Sequence, residues 1–481
     1  MREGGVPGRW RAADHCFRRD PYRTAALVLA ALFAAVTIAF KLIQFNSLQT
    51  QLYDLGESSN VLWNTFHGRP FWTSLMEENY LGQHFAPALA LLGPLVVVTG
   101  SAGSLIVVQC LVFAAATVGV FVFARRITGS GPAGLFWALT FALSPLVHEI
   151  LRVDFHEVGV GAGLTVGLLA AWEIRRPKMF WWFLVLGLLI REDYGFYLSG
   201  FGLALALART QTPWAPPRRL AALGLGWSSL LVFAVMPFLA GGVWKPAAFA
   251  FGGGVHSAAD LAGRFLTLAP WREWLGNPGR LGAVLQILAG VGALPLLSPL
   301  RAVAWILPIL LNAVSANPWQ QRFELHYSAA FLPYLFWGGA HGLRKVIEWA
   351  RRPPLWKRRA LPLAGLLLLG FNASRIPLYY HAASAARRAA ARRMIDRLPP
   401  GDSVMAQTNL LAHVSLRRFV AVAPSPRPAR WIFLDNLCVD QAIPELREVQ
   451  AAFLERHRSY VVDEDQGLVL LHFPNVPNPS E

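Results

Sequence analysis

Apolar residues run in long, nearly unbroken stretches along most of this chain, without the two-residue alternation of half-buried strands. The pattern predicts spans near residues 24–43, 104–124, 132–149, 157–173, 178–191, 194–208, 220–240, 281–300, 302–316, 328–343 and 360–378. A crossing of ~30 Å of hydrocarbon takes about twenty helical residues, so the stretches at 178–191 and 302–316 are short. Phe85 to Val98 is shorter still and holds Pro87 and Pro94. It reads either as a twelfth span or as a helix lying in the interface. The fold class expected is mostly α: a polytopic membrane helical bundle of about eleven spans.

Polar positions break this pattern in two ways. Basic residues gather in alternate loops. With the amino terminus inside, the cytoplasmic segments hold 22 Arg or Lys against five acids, and the opposite loops hold eight against twelve. A span at Phe85–Val98 would invert every later loop and turn the basic ones outward, against the positive-inside bias. The expected organisation is a basic cytoplasmic tail at 1–23, a membrane domain at 24–379 with an outer loop at 44–103, and an extracytoplasmic domain at 380–481. That last part changes in character, with twelve basic and eleven acidic residues from Ile376 onward and no further span. A basic helix at Ala382–Leu398, strands at Ser403–Ala406, Trp431–Leu434 and Leu468–Phe473, and a helix at Pro444–His457 predict a small α/β domain.

Composition agrees: 54% of residues are hydrophobic and only 15% are charged. The net charge of +16 lies mostly in short inter-span loops. It therefore reads as loop anchoring at the lipid bilayer and not as a nucleic-acid groove. Cys16, Cys110 and Cys438 have no metal-like spacing. There is no dinucleotide fingerprint, Walker A loop, HExxH or GxSxG; Gly252–Gly254 lacks the Lys and Ser or Thr of a phosphate loop and reads as a turn.

The second break is chemical. Acids and histidines sit at the ends of apolar runs, all on one expected side: Asp54 and Glu57, His84, Glu149 with Asp154-Phe155-His156-Glu157, Arg191-Glu192-Asp193, and Arg322 with Glu324, His326 and Tyr327. Ionisable groups beside hydrocarbon are costly, so their repeated placement at one depth points to a polar cavity. Asp54 can take a proton, steer a sugar hydroxyl or hold a divalent metal, and Glu57 shares its face in a helix. Against this stands an ordinary hydrated loop with interfacial aromatics at Trp63, Trp72 and Tyr80. Asp154, His156 and Glu157 suit acid–base work or metal coordination; the alternative is an ion-paired junction neutralised by Arg152. Glu192 and Asp193 either complete a charged cavity with Arg191 or satisfy it in a tight turn. Arg191, Arg322, His326 and Tyr327 form a set suited to a phosphate.

Several segments carry a resemblance: Leu52-Tyr-Asp54-Leu-Gly56, Leu62-Trp-Asn64 with His67-Gly68-Arg69, Gly82-Gln-His84-Phe85-Ala-Pro87, Pro145, Asp154-Phe-His156-Glu157, Arg191-Glu192-Asp193 and His326-Tyr327. Over about residues 24–380 the chain resembles an uncharacterised prokaryotic membrane-protein family grouped with the GT-C glycosyltransferases. The resemblance implies a GT-C-like bundle that uses a polyprenyl-phosphate sugar at the outer face, with an envelope acceptor. It implies Asp54 as base or acceptor-orienting group, with Asp154 and Glu157 as its catalytic partners. Glu57, His84, His156, Glu192 and Asp193 are the auxiliary or acceptor-side candidates. Mg²⁺ or Mn²⁺ is the cofactor expected, on Asp54, Asp154 and Glu157. A lipid or solute transporter, or a non-catalytic envelope assembly protein, is the alternative.

Overall fold

The computed structural model describes residues 20–50, 53–210, 212–242, 260, 263, 266–352, 354, 356–377, 382–437 and 446–478. The basic segment before Asp20 and the Gly252–Gly254 turn lie outside the described residues.

Helix α1 (Pro21–Asn46) begins where the Asp20 side chain accepts from the Tyr22 N–H, with Pro21 occupying a position whose missing N–H costs nothing. Its 26 residues rise about 39 Å, enough to cross the bilayer. Among the described residues four helical stretches are long and apolar enough to cross: Pro21–Asn46, Gly103–Thr128 (α3), Gly131–Arg152 and Pro217–Leu239. The protein is a multi-pass membrane protein. The third stretch breaks between Ala142 and Pro145, where proline withdraws a backbone donor. Shorter apolar helices at Pro177–Leu188, Tyr194–Leu207, Pro299–Ala313 and Arg359–Ser374 complete the bundle together with α4 (Glu157–Glu173) and Leu332–Ala350. Where helix Tyr194–Leu207 crosses Pro217–Leu230, a Cβ on Gly195 would lie 2.4 Å from the Gly224 carbonyl oxygen. Only glycine allows that backbone approach.

One apolar run differs from expectation, and Phe85–Val98, left open between a span and an interfacial helix, takes a short non-spanning form. Residues 281–300 do not form one span: the helix Pro278–Gly290 ends at the left-handed pair Gly292 and Ala293. A 3-10 turn at Leu294–Leu297 then leads to Pro299. Phe85–Val98 becomes a 3-10 turn at Pro87–Leu92 followed by the short helix Gly93–Thr99, which stops at left-handed Gly100. Neither piece reaches the twenty residues of a perpendicular crossing.

In the first loop two short strands, β1 (Trp72–Thr73) and β2 (Glu78–Asn79), pair antiparallel. The carboxyl-terminal domain is a mixed five-stranded sheet of order β4-β3-β5-β7-β6, from β3 (Val404–Ala406), β4 (Val420–Val422), β5 (Trp431–Asp435), β6 (Val461–Asp465) and β7 (Leu468–His472). β3 pairs parallel with β4 and β5, and β7 pairs antiparallel with β5 and β6. Helices Ala385–Asp396, α5 (Thr408–Val414) and Leu446–Arg456 accompany it; β4, β6 and α5 had no counterpart in the sequence reading. This domain packs onto helix α2 (Asp54–Phe66), which follows α1. Asn60 Nδ2 donates to the carbonyls of Ser415 and Arg417, both at 2.9 Å, and the hydroxyls of Ser59 and Ser415 lie 2.7 Å apart. A Cβ on Gly56 would meet Leu411 at 2.7 Å. Leu48 and Leu75 of the first loop enter the domain's own core. The sheet domain thus fixes the helix that begins with Asp54.

Candidate active site

Four separated segments converge at one end of the bundle. α2 supplies Asp54 and Glu57, one turn apart on one face. The start of α4 supplies His156 and Glu157. The loop before Tyr194–Leu207 supplies Arg191, Glu192 and Asp193, and the 3-10 turn Leu325–Ala330 supplies His326. Left-handed Phe323 and Leu325 bend the chain into that turn.

Asp54, His156 and His326 each offer one ligand atom, and these atoms all lie within 4.8 Å of one another. The two imidazole rings overlap, with centroids 3.8 Å apart. Asp54 Oδ2 and His326 Nδ1 are buried and have no hydrogen-bond partner among the described residues. Buried polar atoms rarely go unmatched, and a divalent cation between them would match both. Glu157 Oε2 lies 3.0 Å from His156 Nδ1, the carboxylate contact that commonly orients a metal-bound imidazole. The three side chains therefore fit a cation.

Around this trio lies a tight ionic network. Arg191 Nη1 meets Glu157 Oε1 at 3.1 Å, and its Nε lies 3.3 Å from Asp193 and 3.6 Å from Glu192. Glu192 also meets His84 Nδ1 at 3.2 Å and accepts from the Phe85 N–H at 3.0 Å. Tyr197 donates to Asp193 at 2.7 Å, Tyr80 to Glu157 at 3.3 Å and Thr73 to Glu57 at 3.2 Å. Glu157, Glu192 and Asp193 surround the Arg191 guanidinium, and Asp54 and Glu57 stand close enough to feel the Glu157 charge, so five carboxylates share one arginine, an excess of negative charge that favours a cation over an anion. Burial pushes the Asp54 carboxyl above the usual carboxylate range, although His156 pulls the other way. Burial and the neighbouring Asp54 raise Glu57 to about 7.

Several expected partners are rearranged. Asp154 is not one of the three grouped donors. Its carboxylate meets Lys41 Nζ of α1 at 2.6 Å, while Arg152, the neutralising group expected, pairs with Glu149 at 2.9 Å. The trio of donors is Asp54, His156 and His326, where the sequence suggested Asp54, Asp154 and Glu157. Arg191 is enclosed by carboxylates. Arg322 lies elsewhere, paired with Glu324 at 3.4 Å and stacked over Trp319. With Glu149, Gln286 and Arg375 it lines a cavity of roughly 360 Å³ whose walls include Leu146, Ile287, Val291 and Phe371. Tyr327 lies tilted against His326, ring centroids 4.4 Å apart, and accepts from Asn317 Nδ2 at 3.0 Å. Tyr80 is a buried hydrogen-bond donor and not an interfacial aromatic. Lys41, Thr73 and Gln109 went unnoticed in the sequence. The signal for Lys41 was available, since it is a lone ammonium late in an apolar helix.

The family described as "Predicted membrane protein (DUF2079)" matches residues 44–460. No curated protein matches the chain. Among solved structures, the apo crystal structure of ArnT from Cupriavidus metallidurans aligns with a TM-score of 0.50 and 14% identity, over 93% of this chain and 98% of that one. Arabinofuranosyltransferase AftD from Mycobacteria aligns at 0.44 and 15% identity, over 85% of this chain and 35% of the other. The likeness to ArnT is one of fold, consistent with a GT-C-like architecture for the bundle.

Proposed function

The chain belongs to the DUF2079 family, and from that membership and its GT-C-like fold we propose that it transfers a glycosyl group from a polyprenyl-phosphate-linked donor to an extracytoplasmic acceptor. The observation that carries this reading is Asp54 heading the first helix after α1, inside a buried cluster of two histidines fit for a cation. Loop charge supports an amino terminus in the cytoplasm, with the Asp54 centre and carboxyl domain outside.

Asp54 accepts the acceptor's hydroxyl proton or orients that hydroxyl toward the anomeric carbon. A bound divalent cation would supply charge stabilisation for the departing phosphate. Two imidazoles and one carboxylate suit Zn²⁺ or Mn²⁺ better than Mg²⁺, which prefers an all-oxygen octahedron. The cavity beside Arg322 and Arg375 takes the lipid-linked phosphate, its apolar walls following the first part of the chain. Arg191 holds Glu157, Glu192 and Asp193 in place, so it serves the site's frame and not the donor directly.

The test is turnover by the purified protein given a polyprenyl-phosphate sugar and envelope acceptors. Asp54→Asn should lose about a hundredfold or more in kcat with folding and donor binding retained. Normal turnover by that variant removes Asp54 from the chemistry. Donor movement across the bilayer without glycosidic product would favour a transporter.

A further inference from the structure

We propose that Lys41 and Asp154 form a buried latch that sets the position of His156, making both of them positioning residues. The inference rests on reading Asp54, His156 and His326 as a cation site. Both latch residues are nearly inaccessible to solvent, and Nζ meets Oδ1 at 2.6 Å. Lys41 also donates to Gln44 Oε1 at 2.9 Å and to the Arg152 carbonyl at 3.3 Å, so one ammonium ties α1 to the loop at two points. Asp154 holds a left-handed backbone, φ 68°, which Asp and Asn tolerate better than other side-chain-bearing residues. That turn delivers Phe155, fully buried, and then His156.

A second tie comes from α3. Gln109 Oε1 accepts from the His156 N–H at 2.9 Å, and Gln109 Nε2 donates to the Ile150 carbonyl at 3.1 Å. The segment from Ile150 to His156 is therefore fixed at both ends by one amide and in its middle by one ion pair. Ligand nitrogens must be placed to within about half an ångström to bind a cation well, and such supporting contacts are what achieve it. A carboxylate engaged by a buried ammonium two residues before a ligand is suited to this task.

A latch and a reacting group respond differently when both charges are removed. Loss of one partner strands a buried charge, whereas loss of both leaves none. The experiment uses the full chain in lipid nanodiscs with Co²⁺ as the probe, read by its visible absorption. His326→Ala, which removes a proposed ligand, serves as the check on the cation reading. Lys41→Met and Asp154→Asn should each weaken Co²⁺ binding about tenfold or more, and the double variant should return to within about threefold of the parent. Asn is chosen at 154 because it keeps the left-handed turn.

A double variant as weak as Asp154→Asn alone overturns the latch and assigns Asp154 to the centre itself. If a single variant fails to fold, the double decides: near-parental Co²⁺ binding supports the latch, and lost binding overturns it. If the parent chain binds no Co²⁺, the cation reading fails, and the latch is then read by amide hydrogen exchange at residues 154–157. Faster exchange in the single variants with recovery in the double supports it. Unchanged exchange in the singles overturns it.

Discussion

The Asp54 centre and the Arg322 cavity share one short stretch of chain, Arg322 to His326, yet they are built in opposite ways. At the centre, five carboxylates and a guanidinium are packed against three histidines, with the ionic contacts gathered around two unmatched buried atoms, Asp54 Oδ2 and His326 Nδ1. The cavity is open, has roughly 360 Å³ of space, and combines two arginines and two glutamates with apolar walls. A packed acidic centre suits a small cation and reacting atoms. An open, amphipathic cavity suits one end of a larger, lipid-like molecule. The difference separates two tasks that the sequence alone had merged, since Arg191 and Arg322 read there as equivalent phosphate ligands.

The largest effect should come from emptying the centre. Chelation, or His326→Ala, is expected to reduce turnover about a hundredfold or more, with Zn²⁺ or Mn²⁺ restoring the chelated protein but not the variant. Turnover unaffected by either treatment would reduce the cluster to a structural polar core. A smaller and different effect is expected at the cavity. Arg375→Gln and Arg322→Gln should raise the KM for the lipid-linked donor by about tenfold and leave kcat nearly unchanged, because they remove binding shared by ground and transition states. A pure kcat loss would place these arginines at the reacting phosphate and collapse the distinction between the two regions. Competition by sugar-free polyprenyl phosphate should weaken in the same two variants.

How far the sequence disclosed this arrangement follows from what each signal encodes. The bundle was legible because apolar runs such as Ala25–Phe40 and Leu105–Ala124 have no stable alternative to a buried or lipid-facing helix. Asp54, His156 and His326 could be singled out because each stands at the end of such a run. Their grouping could not, as residues 54, 156 and 326 meet only through the packing of distant helices. Pairing was misjudged for the same reason: Arg152 is near Asp154 in sequence, but Lys41 is the cation that reaches it in space. Residues 281–300 looked like one span because hydropathy does not register the left-handed turn at Gly292 and Ala293. Strands β4 and β6 were too short or too acidic to carry an alternating pattern.

The smallest expected effect, on stability, tests whether the centre is a cation site in need of its cation. Glu57 is buried on α2 and accepts from Thr73, with burial and then Asp54 raising its carboxyl to about 7 from an ordinary 4.5. The folded protein therefore holds this proton more tightly than the unfolded chain does. The stabilisation this gives is complete below about pH 4.5 and is lost as the pH rises through 7. Above that range the charged form carries a penalty of at most on the order of 3 kcal/mol. Glu57→Gln has no proton to lose. In metal-free protein its melting temperature should match that of the parent near pH 5 and exceed it by a few degrees at pH 8.5. A bound cation offsets the negative charge that makes Glu57 hard to ionise, so metal loading should shrink the gap. A gap that is already absent in metal-free protein would mean that His84 and Thr73 compensate Glu57 unaided. The acidic centre would then be a balanced ionic core, and its contrast with the cavity would be one of packing and not of charge.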